Sequence, residues 1–134
     1  LYGTLNDVAI FYHSTNTITL VEITGMNWII LIIAGLFEVG FAFCLGKARS
    51  APSGQAIGWY VGFAVCLAIS MYLLIKATES LPLGTAYAVW TGIGAIGTAA
   101  MGMIFFKEST DFWRIFFLCT LIASIIGLKA VSGR

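Results

Sequence analysis

Residues 28–45 read WIILIIAGLFEVGFAFCL, an unbroken apolar run with a single carboxylate, Glu38, in its middle. A helix over such a run is long enough to cross most of a hydrocarbon core ~30 Å thick. Counting from Asn27, the carboxylate lies ~16 Å along the helix, close to the bilayer midplane. On insertion scales a charge at that depth costs about 2.5–3.5 kcal/mol, and a glutamate is too short to reach the interface from there. The functional reading is a proton, ion or cation-substrate site; the plainer one is a hydrogen bond that ties two helices.

Working outward, the same apolar character recurs. The 134-residue chain is 60% hydrophobic and 10% charged, against about 45–50% and 25% in soluble domains. It reads as an all-α membrane protein with four short spans, near 27–45, 55–76, 83–106 and 112–131. The connections KARSAPSG (47–54), ATESLP (77–82) and KESTD (107–111) concentrate proline, glycine and charge, which break helices. Loops this short join adjacent antiparallel helices. In the last span Arg114 and Lys129 bracket a short uncharged stretch, so both are expected to snorkel to opposite interfaces.

Residues 1–25 differ from the rest. They are rich in threonine and β-branched residues, and lack the charged start and apolar core of a secretory signal. They are expected to be a polar extension outside the fold, an upstream leader ahead of Met26, or otherwise an arm lying on the membrane surface. The four-span membrane domain is then 26–134.

Several function classes drop out. Net charge is +1, with no basic footprint for nucleic acid. Cys44, Cys66 and Cys119 lie inside apolar runs, without CxxC spacing or a histidine neighbour, and read as small core residues; no metal site is expected. No nucleophile–base pair or phosphate loop points to an enzyme, and no cofactor is called for beyond protons as a coupling ion.

The loop charges give little orientation. Lys76, Lys129 and Arg134 share one side of a four-span layout, and Lys47, Arg49, Lys107 and Arg114 the other. A bias of one leaves the positive-inside rule almost silent. The charges are equally consistent with one fixed topology and with an antiparallel dimer of oppositely inserted copies.

Around the carboxylate, helical spacing puts Leu31, Ala34, Gly35, Phe41 and Ala42 on the face of Glu38. Their small members leave volume for a ligand, or equally let another helix pack closely. In the third segment Tyr87, Trp90, Thr91 and Gly94 fall on one face, while Gly92, Gly94 and Gly97 permit a kink. Aromatic rings and hydroxyls opposite a buried carboxylate suit a cation. Ser70 is the other hydroxyl placed to anchor it, although a lone serine more often bonds its own i−4 carbonyl. Ala123 and Gly127 form a small-xxx-small pair suited to helix association.

The stretches MNWIILIIAGLFEV (26–39), LPLGTAYAVWTGIGA (81–95) and IIGLKA (125–130) resemble the small multidrug resistance family of bacterial inner-membrane transporters, most closely its guanidinium-exporter branch. The resemblance implies an antiparallel homodimer with opposed topologies, in which the carboxylate matching Glu38 takes either protons or a cationic substrate. It implies binding-site roles for Ser70, Tyr87 and Trp90, an open position at Gly35, a hinge at Gly92, Gly94 and Gly97, and dimer contact through Ala123 and Gly127. The implied activity is proton-coupled export of guanidinium or another small organic cation. The alternative is a multidrug exporter of quaternary ammonium and lipophilic cations, and a further one is a subunit working only in a heterodimer. One position departs from the branch: Phe41 stands where its members usually carry tryptophan, which removes an indole donor beside the carboxylate and points toward bulkier cations.

Overall fold

The computed structural model describes residues 2–132, which form four helices: α1 (Tyr2–Ser50), α2 (Ser53–Thr78), α3 (Leu83–Phe105) and α4 (Phe112–Val131). All four contain stretches long and apolar enough to cross a membrane. The breaks before α2, α3 and α4 fall where the sequence places them, although α1 runs past 45 through Lys47–Ser50 of the first expected connection. Pro52 and Pro82 precede α2 and α3 with φ of −56°, the fixed value that suits a helix start. Past α3, Lys107 turns the chain through the left-handed region at φ 53°, and the Glu108 N–H donates back to the Gly102 carbonyl at 3.1 Å.

The first helix is longer than the apolar run alone gives. It continues without interruption from Asn27 back to Tyr2, where the sequence reading places a polar extension. No proline interrupts residues 2–25, and the hydroxyls of Thr15, Thr17 and Thr19 donate to the carbonyls four residues earlier. Those bonds satisfy the hydroxyls within the helix itself. Side chains from Ile10 to Leu20 are exposed, so these residues add nothing to the core.

The core sits at one end of the bundle. α1 packs most extensively on α2 and next on α3. Leu31 and Ala34 of α1, Leu74 and Ala77 of α2, Leu81 of the connection, and Ala86, Val89 and Trp90 of α3 form one buried cluster. All of these lie toward the α2–α3 connection. Asn27 ties that end together by donating to Ser80.

α4 stands apart. It packs on α3, where Ile125 fills the space over Gly92, and none of its described residues is buried. Its two cations lie toward opposite ends of the helix. Arg114 pairs with Glu108 in the α3–α4 connection, and the Lys129 ammonium lies 5.1 Å from the centre of the Trp28 ring.

Candidate functional site: a buried carboxylate between a packed end and a cavity

Glu38 lies just beyond the packed cluster, one turn along α1 from Ala34. Its carboxyl rests against the backbone of α3 at Gly94: a Cβ there would overlap Glu38 Cδ and Oε2. Among the described residues, Glu38 Oε2 is a buried side-chain oxygen with no hydrogen-bond partner. Buried polar groups are nearly always satisfied, and an orphan calls for an explanation.

On the side away from the packed cluster a cavity of about 510 Å³ opens between the C-terminal halves of α1 and α3. Its wall begins at Ala42, one turn past Glu38, and includes Phe43, Thr98, Met101 and Phe106. It ends at Arg49, Ser50 and Glu108, which are exposed. The carboxylate therefore stands between the packed cluster, one turn before it on α1, and the wall of a space leading to the α1–α2 and α3–α4 connections, one turn after it.

The other residues singled out in the sequence gather in four groups. Ser70 is fully buried and donates to the Ala34 carbonyl at 2.7 Å. Trp90 donates from its indole Nε1 to Ser70 Oγ at 3.1 Å. This chain ties α1, α2 and α3 together one turn from Glu38, and neither donor is directed at the carboxylate. Tyr87 packs its ring 5.4 Å from that of Trp90 and remains 55% exposed.

Phe41 makes an edge-on pair with Phe63 of α2, centroids 5.6 Å apart. That contact holds the ring on the α1–α2 side. Gly35 meets the side chain of Ile93, and Gly97 that of Val39. Together with Gly94 against Glu38, these glycines let α1 and α3 approach closely. The α3 helix runs unbroken through Gly92, Gly94 and Gly97. Ala123 and Gly127 are exposed on α4, and a Cβ at Gly127 would meet nothing.

Two features escaped the sequence. The Ala34 carbonyl as an acceptor carries no side-chain signal. The cavity depends on how the C-terminal halves of α1 and α3 pack, and Arg49, Ser50, Thr98 and Glu108 are its polar markers along the chain.

Residues 26–121 match the family described as Small Multidrug Resistance protein. The chain belongs to the small multidrug resistance family. Several relatives of this family are similar over almost their whole length. A "Guanidinium exporter" of Yersinia pseudotuberculosis is 48% identical over 111 residues, spanning 80% of this chain and all of the relative. A protein of the same description from Escherichia coli K12 is 45% identical over 108 residues, 78% of this chain and 96% of the relative. A "Probable guanidinium efflux system subunit GdnD" of Bacillus licheniformis is 40% identical over 107 residues, 80% of this chain and all of the relative. With four helices capable of spanning a membrane, the chain is a multi-pass membrane transporter of the small multidrug resistance family.

Proposed function

We propose that this transporter exports guanidinium in exchange for protons across the bacterial inner membrane, working as an antiparallel homodimer of oppositely inserted subunits. The observation that carries the reading is the unpartnered, buried Oε2 of Glu38 at the boundary between the packed end and the cavity. A proton on that oxygen removes the charge that the hydrocarbon disfavours. A guanidinium ion removes it in another way, because its planar N–H pairs bond a carboxylate in a fork. The two occupants exclude one another at the same oxygen. If only occupied transporters rearrange, proton entry drives cation exit. The names of the similar exporters support guanidinium as the cation.

The Ser70–Trp90–Ala34 chain fixes the helix that presents the carboxylate. Tyr87 and Trp90 supply aromatic faces to a cation. The Phe41–Phe63 pair favours a second reading, export of quaternary ammonium and lipophilic cations. Without an indole donor beside Glu38, attraction to rings counts for more than fork geometry.

Capacitive current from purified protein on a solid-supported membrane tests both readings, with guanidinium and tetrapropylammonium applied in turn. A guanidinium current that disappears in Glu38→Gln, with little response to tetrapropylammonium, is the expected result. An equal or larger tetrapropylammonium current transfers the protein to the second reading. A guanidinium current that survives in Glu38→Gln rejects the carboxylate mechanism.

A further inference from the structure

The contact between α1 and α2 contains a reciprocal arrangement that the transport mechanism does not use. Gly40 and Cys44 are one turn apart on α1; Gly62 and Cys66 are one turn apart on α2. A Cβ at Gly62 would lie 3.2 Å from Cys44 Sγ, and one at Gly40 would lie 3.5 Å from Cys66 Sγ. Each sulfur thus sits over the glycine of the opposite helix. In a helix the Cα–Cβ bonds tilt toward the N-terminus, so in this antiparallel pair both thiols lean toward a common point.

The chemistry of this pair is restrictive. Among the described residues no group of three or more His, Cys, Asp or Glu could share a metal, so a four-coordinate ion such as zinc lacks its ligand set. Two sulfurs satisfy a soft cation that accepts linear coordination, since thiolates select soft metals. The surroundings add a charge condition. Two thiolates with a monovalent ion leave a net negative charge among apolar helices, whereas with a divalent ion the unit is neutral. Metal–sulfur bonds of about 2.3 Å give a linear bridge of about 4.6 Å between the two sulfurs.

We propose that Cys44 and Cys66 form a two-thiolate site for a soft divalent cation of filled d shell, for which mercuric ion is the chemical match. Two thiols release two protons, two sulfur–metal bonds form, and no electron is transferred. The site joins α1 to α2 about 9 Å along α1 from Glu38.

The test uses the full chain carrying Cys119→Ser, because Cys119 is an exposed thiol on α4 that would bind the probe separately. The protein is reduced, freed of reductant and titrated with mercuric chloride against a competing monothiol. Sulfur-to-metal charge-transfer absorbance and intact mass are read together. One mercury per subunit is expected, held about 100-fold more tightly than after a further Cys44→Ser or Cys66→Ser, the gain that a second tethered ligand provides. Size-exclusion profiles matching the parent protein show that each serine variant is folded. Two mercury ions per subunit, one on each thiol, overturn the proposal, as does an affinity unchanged by either serine.

Discussion

The carboxyl of Glu38 occupies the volume that a side chain at position 94 would need. Gly94→Ala is therefore expected to displace the carboxylate from α3. Misplacement of a binding group by about 1 Å lowers rates by about 10- to 100-fold, and transport should fall by that order while the protein still inserts. Gly58→Ala is the matched control, since a methyl there meets nothing within 4 Å. Wild-type transport by Gly94→Ala, measured in proteoliposomes, would show that the carboxylate works from another position.

Competition at one carboxylate has a definite sign in pH. Where Glu38 is mostly protonated, each unit rise in pH should tighten apparent guanidinium binding about tenfold for one displaced proton. The gain should level off once the group is ionised. Trp90, in the hydrogen-bond chain one turn from the site, offers a fluorescence readout. Glu38→Gln should lose both binding and its pH dependence. A dissociation constant constant across pH in the native protein would remove proton competition from the mechanism.

Ser70→Ala deletes a link between three helices. The buried Trp90 N–H loses its acceptor, and the Ala34 carbonyl loses the donor from α2. An orphaned buried donor costs about 1–2 kcal/mol, the lower value being nearer to measurements in membranes. The expected outcome is a lowered thermal midpoint in detergent and a shifted Trp90 emission. An unchanged midpoint would mean that the indole finds another acceptor.

Phe41→Trp tests selectivity. The larger ring must share the space now filled by the edge-on contact with Phe63, and it restores an N–H donor to the face of Glu38. The ratio of guanidinium to tetrapropylammonium current should rise by about tenfold, the effect of about 1.4 kcal/mol of differential binding. An unaltered ratio would assign selectivity to residues beyond position 41.

The spans were legible because their signals are local. Apolar length, Pro52, Pro82 and the charged connections fix where α2, α3 and α4 begin and end to within about two residues. Glu38 was legible for the same reason, as a single charge in an apolar run. The continuation of α1 to Tyr2 was not, because threonine-rich sequence has low helix propensity and its hydroxyls bond backbone only once the helix exists. The glycines of α3 show the limit most clearly. Their spacing was compatible with a kink, yet Gly92, Gly94 and Gly97 each face a different neighbour, Ile125, Glu38 and Val39. Which atoms meet across two helices depends on their crossing, and one segment's periodicity does not encode it.

The bareness of α4 changes meaning in a bilayer. In water, a helix showing Phe112, Trp113, Phe117 and Ile126 to the outside would be driven to any apolar cover. Lipid tails solvate such side chains as well as protein does, so a lone inserted subunit suffers no such drive. In the proposed dimer, recruitment of the partner then rests on shape, on how well small residues such as Ala123 and Gly127 admit another backbone against the competition of acyl chains. Assembly becomes sensitive to the lipids themselves, and bilayer composition joins protein concentration as a variable setting how many subunits are paired.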